Sequence, residues 1–190
     1  MRRLLVPLLA AVLLVTGCRS EPSAAGSVTG DTKGYVAGNG ETAIYPKADR
    51  KPAPQVEGST LDGARFDLAA ARGHVVVMSF WASWCAPCRA EAADLEAAYE
   101  STRDSGVTFV GVNTRDQHDS ANQFVTAYRI TYPSLFDPQG RVALRFSQVP
   151  PTAFPATLIL DKDGKVAVLI LTTVSRDGLT SLLKQIGTET

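Results

Sequence analysis

The sequence predicts a mixed α/β fold, a central β-sheet flanked by helices. Three observations carry that prediction. Val75-Val76-Val77-Met78, continued by Phe80 and Trp81, is apolar at consecutive positions, which marks a central strand covered on both faces. Directly after it, from Pro87, the Ala- and Glu-rich stretch with Ala90, Ala93, Leu95, Ala97, Ala98 and Tyr99 reads as a helix to about Ser101. Near the C-terminus, apolar runs at 157–160 and 166–171 flank the turn Asp161-Lys162-Asp163-Gly164, and Leu179, Leu182, Leu183 and Ile186 form the apolar stripe of a closing helix. A parallel crossover followed by a hairpin in one sheet stacks helices and strands in layers.

The composition agrees with one folded domain. The chain has 190 residues, 45% hydrophobic and 20% charged, with a formal net charge of +0. That is too apolar and too balanced for a disordered chain, and three cysteines are too few for a disulfide scaffold of this length. A neutral balance offers no electrostatic footprint for nucleic acid, which is excluded as a partner.

In chain order, residues 1–17 read as an export signal: Arg2 and Arg3, then the apolar stretch Leu4 to Val15. As a helix that stretch spans only about 18 Å against a hydrocarbon core of about 30 Å, so it is a removable leader rather than a lasting span. Leu14-Val15-Thr16-Gly17-Cys18 resembles the bacterial lipobox, in which the Cys becomes the lipidated first residue of the mature chain. The alternative is an ordinary signal peptide that happens to contain a Cys. Multi-chain lipidation at Cys18 would hold the protein at a membrane without a spanning helix. Residues 18–51, rich in Ser, Gly, Thr, Ala and Pro and without apolar periodicity, are expected to form a flexible tether, with Tyr35, Ile44 and Tyr45 as residues able to dock on the domain.

The folded domain is expected at 52–190. Val56 to Leu61 and Ala64 to Leu68 flank Asp62-Gly63, whose residues suit the positive φ angles of a tight hairpin turn. The strand at 74–81 and the helix after Pro87 follow, then a second buried strand at Val107 to Val112. Between Thr114 and Phe146 an α-rich insertion is expected, with a helix at 123–128 and a short one near 142–146, before the last hairpin.

The chemistry sits where the strongest strand meets its helix, at Trp81-Ala82-Ser83-Trp84-Cys85-Ala86-Pro87-Cys88. The C-x-x-C spacing lets two sulfurs bond across one turn. The helix N-terminus favours a thiolate on the first, more exposed cysteine. Pro87 suits the first turn, where its missing N–H has no intrahelical partner. Cys85 is thus the expected attacking thiol and Cys88 the resolving one. A zinc site is a weaker alternative, since it needs four ligands and the remaining candidates are His74 and His118, far apart in sequence. A purely structural disulfide would close too small a loop to stabilise much. No metal and no bound cofactor are expected.

The segment Phe80-Trp81-Ala82-Ser83-Trp84-Cys85-Ala86-Pro87-Cys88-Arg89-Ala90-Glu91 resembles the active-site segment of the thioredoxin superfamily, and most of all its extracytoplasmic TlpA/ResA/DsbE-like branch, over roughly residues 52–187. The resemblance implies a thioredoxin fold with an N-terminal β-hairpin and a helical insertion before the last hairpin. It implies thiol–disulfide oxidoreductase activity on protein thiols and disulfides, with apocytochrome c among the substrates of the branch. It also implies recharging by a membrane electron-donor protein of the CcdA/DsbD type. A monomer is expected, and the lipid anchor at Cys18 would place it on the outer face of the bacterial cell membrane.

The second hallmark of the family is a cis-proline facing the cysteines. Phe154-Pro155-Ala156-Thr157-Leu158 occupies that place, so Pro155 is the expected cis residue, with Val149-Pro150-Pro151-Thr152 as a competing site. Phe154 departs from the Thr or Val more usual there and suggests an apolar substrate-binding edge. Trp84 is expected to cover the disulfide and contact substrate, together with Pro87, Phe154 and Pro155, whereas Trp81 belongs to the core. Thioredoxins proper carry a buried Asp six residues before the first Cys, but that position is Ser79 here. Glu91, three residues after Cys88 on the same helix face, is the acid expected to influence the cysteines. A copper chaperone of this fold would want C-x-x-x-C. A peroxide-reducing relative would want P-x-x-x-T-x-x-C, where Ala82 stands three before Cys85. A non-catalytic lipoprotein that binds a protein partner is the remaining alternative, and it would tolerate Cys85→Ser.

Overall fold

The computed structural model describes residues 42–150 and 152–189. The leader, Cys18, Tyr35, Pro151 and most of the expected tether lie outside the described residues. The strands are β1 (Thr42–Ile44), β2 (Glu57–Ser59), β3 (Arg65–Asp67), β4 (Val75–Trp81), β5 (Val107–Thr114), β6 (Ser134–Asp137), β7 (Ala156–Leu160) and β8 (Val166–Ile170). The helices are α1 (Ala86–Thr102), α2 (His118–Tyr128), α3 (Arg141–Arg145) and α4 (Arg176–Thr188). Six strands form one mixed sheet in the order β1-β8-β7-β4-β5-β6, and β2-β3 form a separate hairpin.

Strand β4 lies at the centre, buried at every position, parallel to β5 and antiparallel to β7. Alternation along it divides the core. Val75, Val77 and Trp81 face a layer made by Ala92, Leu95 and Ala98 of α1, Phe124 of α2, and Leu179, Leu183 and Ile186 of α4. Val76, Met78 and Phe80 face the opposite side, where Leu135 of β6 and Leu158 of β7 extend the same face and Leu68, Ala143 and Phe146 close over it. The three long helices thus share one face, and short elements cover the other. Phe80 meets Phe146 edge-on with ring centroids 6.1 Å apart.

The expected elements recur with adjusted bounds, and two differences stand out. The region before the last hairpin is not wholly helical: Ser134–Asp137 forms β6, pairing parallel with β5, between α2 and α3. Helix α2 also starts five residues earlier than its apolar stretch, at His118. The second difference is at the N-terminal side. Residues 42–51, read from sequence as the end of the tether, are held on the sheet: β1 pairs antiparallel with β8, and the buried Arg50 guanidinium joins Asp161 at 3.1 Å and Glu189 at 2.5 Å. Three strand residues gain order from partners far along the chain, which local pattern does not reveal. Among the described residues no helix is long and apolar enough to cross a membrane.

Candidate active site

The C-terminal ends of β4 and β5 lie side by side, and the loops that leave them build the site, as expected for the carboxyl ends of parallel strands. Leaving β4, the chain turns through Ala82–Trp84 and enters α1 with Cys85 as N-cap. Cys85 and Cys88 form a disulfide with Cα atoms 5.3 Å apart. The Cys88 backbone N–H donates to Cys85 Sγ at 3.2 Å, so the first sulfur itself caps the helix. Pro87 lies in the first turn, exposed. Both cysteines are nearly closed off, Cys85 at 4% and Cys88 at 2% exposure, so the expected difference in exposure is slight in the disulfide form.

Trp84 is the exposed aromatic of the site, 55% accessible. Its indole N–H donates to the Arg115 carbonyl at 3.0 Å, and its ring meets Phe154 edge-on at 5.6 Å. That contact brings the cysteine loop against the segment before β7, where the Phe154–Pro155 peptide bond is cis. Phe154 itself is half-buried and packs against both halves of the core. Trp81 stacks on Phe124 at 4.4 Å within the core.

Glu91 is 1% exposed, one turn beyond Cys88 on α1. Its Oε2 accepts the Val174 backbone N–H at 2.9 Å, and its Oε1 has no protein partner. Burial pushes this carboxyl up to about 7, with the nearby Asp94 adding to the rise and the Val174 hydrogen bond opposing it. Ser79 lies beneath α1 in register with Thr157 on one side and Gly111 on the other, and Gly111 pairs with Ser134. The hydroxyls of Ser79, Thr157 and Ser134 are buried without protein partners. A second buried acid of α1, Glu96, is spent on the loop before β6, where it accepts the Thr131 backbone N–H at 2.8 Å and the Thr131 hydroxyl.

Sequence reasoning missed the loop after β5. Asp116 is 7% exposed and accepts four hydrogen bonds: from the Ser83 backbone N–H at 2.5 Å, the Ser83 hydroxyl at 2.8 Å, the Asn113 side-chain amide at 2.9 Å and the Gln117 backbone N–H at 2.9 Å. Burial raises its pKa, and these bonds outweigh burial and hold it below the usual carboxylate range. Arg115 beside it takes a left-handed conformation, φ 54°. The available signal was positional: polar residues at the end of a parallel strand adjoining the one that carries the cysteines. His74 and His118 are exposed on separate elements, contacting the carbonyls of Gly106 and Leu61. Among the described residues no three His, Cys, Asp or Glu side chains gather as a metal site.

Comparison with known proteins fits this geometry. The sequence profile of the AhpC/TSA family matches residues 50–169. The thiol-disulfide oxidoreductase ResA of Bacillus thuringiensis subsp. konkukian is 27% identical over 136 residues, 72% of this chain and 77% of that protein. The crystal structure of a DsbF homologue from Corynebacterium diphtheriae superposes with a TM-score of 0.74 at 33% identity, covering 79% of this chain and 96% of the other. A secreted thiol-disulfide isomerase from Corynebacterium glutamicum gives 0.71 at 32% identity, covering 78% and 96%.

Proposed function

The chain belongs to the AhpC/TSA family of thioredoxin-fold proteins and is a thiol–disulfide oxidoreductase, and from that premise we propose that it reduces disulfides of other proteins outside the cytoplasm, through Cys85 and Cys88. The observation that carries this reading is the Cys85–Cys88 disulfide at the N-terminus of α1, beside the Phe154–Pro155 segment.

In the dithiol state the Cys85 thiolate is stabilised by the N-terminal end of α1 and the Cys88 N–H. It attacks one sulfur of a substrate disulfide. A Cys85–substrate bond forms as the substrate S–S bond breaks, and the other substrate sulfur leaves as a thiolate and takes a proton. Cys88, losing its proton, then attacks the Cys85 sulfur, which releases the second substrate thiol and leaves the Cys85–Cys88 disulfide. Two electrons pass to the substrate. Glu91, buried one turn from Cys88 with a free Oε1, is suited to take the Cys88 proton at near-neutral pH. Trp84, Pro87, Phe154 and Pro155 form the substrate-binding face, with the backbone before Pro155 pairing strand-like with a bound polypeptide.

Reduction is favoured over oxidation because Ala86 and Pro87 between the cysteines add no charge or histidine that would strongly stabilise the thiolate. The signal at 1–17 would direct export, and lipidation of Cys18 would then hold the enzyme at the outer face of the membrane, with a tether leading to the domain. Apocytochrome c fits as a substrate, and a CcdA/DsbD-type membrane protein fits as the electron donor. The deciding experiment is a redox titration of the Cys85–Cys88 pair against glutathione or dithiothreitol. A potential near about −270 mV supports a reductant, and one near about −120 mV makes the protein an oxidant. Cys85→Ser abolishes exchange on this reading, and Cys88→Ser accumulates the mixed disulfide.

A further inference from the structure

The loop that leaves β5 takes no part in the electron transfer, yet it converges on the two residues that precede the attacking cysteine. Every polar backbone and side-chain group of Ser83 is engaged: its N–H and hydroxyl by Asp116, its carbonyl by the Arg89 guanidinium at 2.8 Å. Trp84 is held at its indole N–H by the Arg115 carbonyl and at its ring edge by Phe154. Arg115 presents that carbonyl from a left-handed conformation that non-glycine residues seldom adopt, a cost retained only where the surroundings over-determine it. The Arg115 N–H donates to the Asp137 carbonyl at 3.2 Å, and on its other side lies Asp116, which is almost fully buried and ties four donors from three residues to one carboxylate. Without such ties, an aromatic side chain this exposed would sample several rotamers and would have to be ordered when a polypeptide docks.

We propose that Asp116 is a positioning residue for polypeptide substrates: through Ser83 and the Arg115 carbonyl it presets Trp84, packed against Phe154, as a rigid wall of the substrate face. The proposal rests on the disulfide-exchange reading given above and adds a specificity device to it. A protein disulfide, which must lie along this face to deliver its sulfur to Cys85, needs the wall in place. A small disulfide reaches Cys85 without it. The chemistry at the sulfurs is unchanged by Asp116, and what it alters is the fraction of encounters held in line for attack.

The test uses the reduced full-length chain and two oxidants, insulin as a protein disulfide and 5,5′-dithiobis(2-nitrobenzoate) as a small one. For Asp116→Ala the rate constant for insulin falls about tenfold, the loss expected from slack in a positioning contact, and the small disulfide reacts at the parent rate. Asp116→Asn keeps one acceptor oxygen but turns an NH2 donor towards the Ser83 or the Gln117 N–H, so its insulin rate lies between those of the alanine variant and the parent. Trp84 emission shifts to longer wavelength in the alanine variant as the ring is released to water. Should Asp116→Ala fail to fold, Ser83→Ala removes the hydroxyl tie to Asp116 at a half-buried position, and a smaller loss with insulin, again with the small disulfide unaffected, is expected. Equal losses with both oxidants, or no loss with insulin, overturn the proposal. A parent protein that reacts with neither oxidant overturns the exchange reading itself.

Discussion

On the proposed mechanism, Glu91 sets stability against function in one side chain. Its ordinary pKa is 4.5 and burial raises it to about 7, so as pH rises through that interval the unfolded chain ionises while the folded one resists. The folded state therefore holds a full advantage below about pH 4, loses it between the two values and levels off above the upper one, by on the order of 3 kcal/mol in total. Glu91→Gln keeps an acceptor for the Val174 N–H and has no charge to bury. Its thermal midpoint should match the parent at about pH 4 and exceed it at about pH 8. The same variant should release mixed disulfide more slowly near neutrality, with its pH dependence flattened. A faster or unchanged release across pH would remove Glu91 from the mechanism. Local signals made this residue visible in the sequence, since it lies at helical spacing from Cys88. Asp116 was not visible, because its partner Ser83 is brought to it by the pairing of β4 with β5 and by no spacing along the chain.

Among the elements, β5 carries the tightest constraint. It runs between β4 and β6, and at Gly111 an added Cβ would collide with the Ser134 hydroxyl and come within 2.7 Å of Trp81 Nε1. Gly111→Ala should lower stability by about 1–3 kcal/mol, seen as a lower urea midpoint at unchanged slope. The long elements were legible because their pattern is internal to them: β4 is apolar at every position but Ser79, and α4 repeats its leucines at helical intervals. The short ones were not. Ser134–Asp137 lies between Pro133 and Pro138, residues that read as loop, and four positions allow no periodicity to emerge. Thr42–Ile44 is a strand only because β8 offers it an edge. Helix α2 begins with polar residues at His118 and Asp119, so its apolar stripe appears only in its second half.

For the molecule as a whole, Arg50 is the clasp between the two ends of the described chain. It binds the Tyr45 carbonyl, Asp161 in the β7–β8 turn and Glu189 at the end of α4. With Arg50 and Asp161 both buried, Arg50→Met leaves an uncompensated carboxylate and should cost about 3 kcal/mol. Hydrogen exchange should then quicken in β1 and at the end of α4 before it quickens in β4. The segment held by this clasp has a further consequence for solubility. Strand β8 reads Val-Ala-Val-Leu-Ile, uncharged and buried along its whole length, and β1 is what lies against its outer side. Without residues up to Tyr45, β8 would lose its outer partner along Val168, Leu169 and Ile170 and present an apolar, β-forming edge on which further chains can stack. A thiol–disulfide oxidoreductase that meets other proteins is poorly served by a sticky flank, and three residues of β1 are enough to blunt it.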